Sequence, residues 1–66
     1  MYFNLYKDVK GEWRWQLVAA NHKDIVADSA EGYKNRADAV NGINLVRATA
    51  KTTRVFDRAK NDWAVD

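Results

Sequence analysis

From Gly11 to Ala19 the side chains alternate. Trp13, Trp15, Leu17 and Ala19 take one set of positions; Glu12, Arg14, Gln16 and Val18 take the other. A two-residue period belongs to a pleated strand, whose successive side chains point to opposite faces. The pattern predicts a strand from Glu12 to Ala20 with a heavy apolar face. Upstream, Tyr2 to Lys7 alternates as well, with Phe3 and Leu5 set against Tyr2, Asn4 and Tyr6. Asp8-Val9-Lys10-Gly11 between them is turn chemistry, with Gly11 free to adopt positive φ. A further turn at Asn21-His22-Lys23-Asp24 leads into a short third strand, Ile25 to Ser29. Three successive strands joined by tight turns make an antiparallel meander.

The period then changes. Beyond the connector Glu31-Gly32-Tyr33-Lys34, the residues Ala39, Val40, Ile43, Val46 and Ala50 share one stripe of a helical wheel. This predicts a helix from Arg36 to Ala50, laid stripe-down on the sheet. Asn35 stands at the N-cap, its side chain placed to accept from the amide of residue 38, and Asp38 is the acid of a capping box. Gly42 costs about 1 kcal/mol relative to alanine inside a helix, which close approach of helix to strand would explain. Leu45 falls off the stripe and is a candidate for an interface.

Past Lys51, Thr52 to Asp57 is β-branched and aromatic, which favours a last strand. Val55 and Phe56 point to opposite faces of that strand, so both faces need an apolar neighbour. Residues 58–66 read as a loosely ordered polar tail. The fold class is therefore α+β, one domain over residues 1–66 with its core in 2–57. The element order is βββαβ: an antiparallel meander with one helix packed on the sheet.

A chain of 66 residues lies near the lower limit for a self-sufficient core, where disulfides, metals or a partner subunit usually add stability. There is no cysteine and only one histidine, His22. Disulfides, thiolate chemistry and a histidine metal cluster are thereby excluded within one chain. Self-association is the remaining route. No window approaches the roughly 20 apolar residues of a membrane span, and Met1 to Lys7 lacks a secretory pattern. A soluble cytoplasmic protein without cofactor is the expectation. Net charge is +2, divided as −1 over residues 1–33 and +3 over residues 34–66. That mild bias permits a polyanion surface without requiring one.

Each candidate for chemistry has a plainer structural role. Trp13 and Trp15 could stack on single-stranded nucleic acid, but they share a face with Leu17 while Arg14 points away, which is the arrangement of a core. His22 falls in a turn with no nucleophile at useful spacing. Asp28-Ser29 lacks an activating base, and Gly32 alone makes no phosphate loop. Arg36, Arg47, Lys51, Arg54 and Arg58 form the basic second half. Arg36 and Arg47 flank the helix stripe, where their stems cover core edges while their charges reach water.

Tyr6-Lys7-Asp8, Gly11-Glu12-Trp13-Arg14-Trp15, Ala19-Ala20-Asn21, Asp28-Ser29, Glu31-Gly32-Tyr33 and Ala39…Gly42-Ile43…Val46 together resemble the YegP-like domain. This is a small bacterial and archaeal domain of uncharacterised function, found singly or in tandem. The likeness spans roughly residues 2–50. It implies that two βββα-β units share a single sheet and exchange their C-terminal strands, as homodimers where the chain holds one unit. The resemblance brings no established catalytic residues to carry over. The expectation is a non-enzymatic, self-associating domain, with Val55, Phe56, Leu45 and Tyr6 as interface candidates. An unidentified protein is a possible further partner. The alternative is a weak nucleic-acid-binding module built on Arg36, Arg47, Lys51, Arg54 and Arg58.

Overall fold

The computed structural model describes residues 1–50 and 52–64. Its elements are β1 (Tyr2–Lys7), β2 (Trp13–Val18), β3 (Ile25–Asp28), α1 (Arg36–Arg47), β4 (Phe56–Asp57) and β5 (Asp62–Trp63). The meander forms as its alternation predicts, with β2 central and both pairings antiparallel. Register places Leu5 opposite Trp15 and Phe3 opposite Leu17, and Leu17 opposite Ala27. Side chains directly opposite in a ladder share a face, so these five form the underside of the helix. The two sheet edges differ. β1 pairs without interruption over six residues, whereas β3 has four and its register against β2 shifts between Leu17 and Val18.

Asp8 builds the first turn. Its Oδ1 accepts the amides of Lys10 (2.9 Å) and Glu12 (3.0 Å), and its Oδ2 accepts Arg14 Nε at 2.7 Å. Gly11 closes the turn at φ +80°. Asn21 does the same for the second turn, its Oδ1 accepting the amides of Lys23 and Asp24 while His22 takes φ 63°. After β3 the connector returns beside the start of β2, where Trp13 and Tyr33 exchange two backbone bonds of 2.7 and 2.8 Å.

The helix lies across β2. Trp15, Ala39 and Ile43 are buried at 5%, 0% and 7% exposure, with Phe3, Leu5, Trp13, Ala27, Tyr33 and Val46 packed around them. Trp15 is thus the centre of the core, while Trp13 and Leu17 are only half-buried. Val18 is buried too, although its position in the alternation puts it with Arg14 and Gln16. Its ladder partners are Tyr2 and Ile25, so the far face of the sheet has a small apolar patch of its own.

Two details of the helix depart from the sequence expectation. It ends at Arg47, short of Ala50, because Val46 O is taken by both the amide (3.1 Å) and the hydroxyl (2.7 Å) of Thr49. Asn35 has the extended N-cap conformation, but its side chain makes no cap bond; its Nδ2 lies 3.4 Å from Asp38 Oδ2 instead.

The larger correction is at the C-terminus. The expected strand over Thr52–Asp57 is reduced to Phe56–Asp57, which pairs with Asp62–Trp63 of the same chain. Residues 58–64, read as polar tail, supply the turn and return strand of a hairpin. Its turn has a local cause: Asp57 Oδ1 accepts the amides of Ala59 (2.9 Å) and Lys60 (3.3 Å), and Asn61 takes the left-handed φ of 54°. Such side-chain capture of the following amides is how aspartate initiates a turn. The fold is βββα followed by a short hairpin, and the C-terminal strand has its partner within the chain.

Candidate functional site

The hairpin carries the most exposed aromatic cluster of the chain. Phe56 and Trp63 face each other across the ladder with ring centroids 5.1 Å apart at 82°, an edge-to-face pair. The Arg54 guanidinium stacks 3.7 Å from the Trp63 ring centroid, and Ala64 N donates to Val55 O at 2.8 Å, extending the pairing by one step. Val55 is 56% exposed, Phe56 44% and Trp63 47%. Asp57 and Asp62 lie directly opposite each other, one residue nearer the turn.

The hairpin stands off the body. The described chain measures 40 × 27 × 21 Å with a radius of gyration of 14.2 Å, against about 11 Å for a compact chain of this length. An aromatic cluster held away from its own core is unusual in so small a domain, where large apolar side chains dominate the interior.

Val55 and Phe56 therefore sit together on the hairpin. The other two interface candidates lie elsewhere: Leu45 is exposed on α1, and Tyr6, half-buried, belongs to the sheet face away from the helix, opposite Arg14 in the ladder. Trp63 was not among the sequence candidates. The signal that could have found it is the pair Asp57 and Asn61, two turn-forming residue types that bracket a reversal.

The basic residues are dispersed, and three of them rest on three different rings. Arg36 lies 5.9 Å from the Trp13 ring, which Lys7 also approaches at 5.2 Å; Arg47 lies 5.9 Å from Phe3; Arg54 covers Trp63. Arg36 and Arg47 stand at opposite ends of α1, roughly 16 Å apart at 1.5 Å per residue. Arg58 is in the hairpin turn, and Lys51 lies outside the described residues.

The polar groups with possible chemistry are engaged in structure. Ser29 Oγ donates to Glu31 O at 2.9 Å and accepts Trp15 N at 3.3 Å, while Asp28 Oδ1 accepts Ala30 N at 2.8 Å. His22 packs its ring 5.4 Å from that of Tyr2. The Arg14 hydrogen bond, reinforced by the Glu12 amide, holds the Asp8 carboxyl below the usual aspartate range, and Asp8 in turn raises Arg14. Burial pushes the Tyr33 hydroxyl up, with Glu31 adding to the shift. Among the described residues there is no group of three or more histidine, aspartate or glutamate side chains that could hold a metal ion. No helix among them is long and apolar enough to cross a membrane.

Residues 8–57 match a domain family described as a domain of unknown function, DUF1508. The chain is 46% identical over 55 residues to the UPF0339 protein NMB1088 of Neisseria meningitidis serogroup B, covering 83% of this chain and 95% of that protein. It is 36% identical over 56 residues to a UPF0339 protein in the ptx operon 5′ region of Stutzerimonas stutzeri, covering 85% of this chain and 49% of that longer one. The chain belongs to the UPF0339 family, the YegP-like group that its sequence motifs resemble.

Proposed function

We propose that this UPF0339 domain is a self-associating protein-interaction module, a homodimer in which Thr53–Asp57 of each copy lies against the sheet of the other. One observation carries the reading: Val55, Phe56 and Trp63 are about half exposed on a hairpin that stands off a core too small to spare them. Burying such side chains contributes about 1.5–3 kcal/mol each, a large share of a small domain's stability. The unbroken outer edge of β1, with its unpaired backbone groups, is the natural place for an added strand. The role is one of binding and assembly in the cytoplasm. Ser29, Asp28 and Asp8, which could have served chemistry, each hold a turn or a strand end instead.

Sedimentation of the full chain combined with thermal melting tests this. The expected result is twice the chain mass, with a melting midpoint that rises with protein concentration because dimerisation and folding are linked. A chain-mass species with a concentration-independent midpoint would overturn it.

A further inference from the structure

Helix α1 stops at Arg47, where Val46 O accepts both the amide and the hydroxyl of Thr49. Ala50, the last position of the apolar stripe, is therefore exposed rather than laid on the sheet. A groove of about 490 Å³ opens there, between the start of β1 and the end of α1. Its floor is Phe3, Leu17 and Val46, all half-buried, and Tyr2, Arg47 and Thr49 stand around them. Small-molecule sites of this size are mostly apolar, with a few polar groups that orient the ligand. We propose that this groove binds a small organic carboxylate, its aliphatic body on the floor and its carboxylate on Arg47. The site is independent of the self-association reading, since none of its residues lies on the hairpin.

The polar groups of the wall fix the sign of the ligand. Arg47 is the one charged side chain on it. Among the described residues its guanidinium has no carboxylate partner; the ion pair found among them joins Arg14 to Asp8. A long contact of 3.5 Å to Asn44 Oδ1 leaves most of its N–H donors uncommitted. The neighbouring acceptors are already taken. Asn44 O accepts the Ala48 amide at 3.1 Å, and Val46 O accepts Thr49 twice. Uncommitted donors beside committed acceptors call for a ligand group that only accepts. The guanidinium stands 5.9 Å from the Phe3 ring centroid, so charge and apolar floor adjoin and one small molecule reaches both.

A single cation suits a single negative charge. A planar carboxylate meets a guanidinium through two parallel hydrogen bonds. A phosphate monoester, at about −1.5 to −2 charges, would be left partly unneutralised. Small inorganic anions would gain nothing from Phe3, Leu17 and Val46, whose stabilising contribution comes from covering apolar area.

The test is a titration of the isotope-labelled full-length chain, followed through its amide resonances. The probes are sodium octanoate, below its micelle concentration, and 1-octanol as the uncharged molecule of equal chain length. Octanoate is expected to give saturable shifts centred on residues 1–3 and 46–49, and to bind more tightly than octanol. Arg47→Gln, at an exposed position, should weaken octanoate about tenfold through loss of the charge-assisted pair and leave octanol unchanged. The amide spectrum of the variant shows directly whether it is folded. Raising salt on the parent chain makes the same comparison without a substitution: octanoate weakens and octanol does not. Octanoate shifts that do not saturate, that centre elsewhere, or that respond to Arg47→Gln and salt no more than those of octanol would overturn the assignment.

Discussion

The indole nitrogen of Trp15 lies 3.0 Å from the point where a Cβ on Gly42 would stand, and the Tyr33 hydroxyl lies 3.3 Å from it. The helix passes close enough to β2 that a methyl group there would force its neighbours to yield by a few tenths of an ångström. Because Trp15 is 5% exposed, its ring has no solvent side into which to withdraw.

Gly42→Ala is therefore expected to destabilise the domain, despite the better helix propensity of alanine. Propensity favours the change by about 1 kcal/mol, while overpacking a tight core costs about 1–3 kcal/mol. A rigid buried indole places the cost at the upper end of that range, for a net loss of about 1–2 kcal/mol. Thermal melting of the two proteins at equal concentration is the check. A variant as stable as the parent would show that the helix can lift off the tryptophan at no cost.

Asp8 predicts an acid-sensitive turn. Its carboxyl titrates below the ordinary aspartate value because of the bond from Arg14 Nε and the amides it accepts. A carboxyl depressed in the folded state contributes stability above its unfolded-state value, near pH 4. That contribution disappears as pH falls through the lower folded-state value. Asp8→Asn should lower the melting midpoint at pH 7, and the gap from the parent should narrow on titration toward pH 2. A gap that stays constant with pH would mean the carboxylate charge does not matter to the turn.

Asn35→Ala should change stability by less than about 0.5 kcal/mol. The larger losses seen at N-caps come from removing a side-chain bond to the helix amides, and that bond is not made here. Chemical denaturation measures this directly. A loss above 1 kcal/mol would show that the side chain caps the helix in solution.

The first half of the fold was legible because alternation and turn residues agreed. Trp15 and Leu5 share a face by position alone, and Asp8 and Gly11 mark the reversal between their strands. Val18 was hidden because its burial depends on Tyr2 and Ile25 and on a register shift that no periodicity encodes. The hairpin was hidden for another reason: two-residue strands are too short to show a period, so only Asp57 and Asn61 betrayed it. Of the interface candidates, Val55 and Phe56 were readable as apolar residues on both sides of an extended segment. Trp63 was lost in a polar neighbourhood. The helix stripe gave Ala39 and Ile43 correctly, but the stop at Arg47 depends on one threonine hydroxyl.

The unequal edges of the sheet bear on what the protein avoids. Fibres grow when a sheet offers a pairing edge on each side, so that every added chain exposes a fresh template. Here β1 is long and regular, while β3 is four residues long with a shifted register. The sheet thus offers one regular pairing edge, at β1, and a poorer one, at β3. The irregularity beside Val18 therefore makes β3 the less favourable of the two edges for pairing. A straight six-residue β3 would give the sheet a second regular edge, and with it the template that edge-to-edge growth needs.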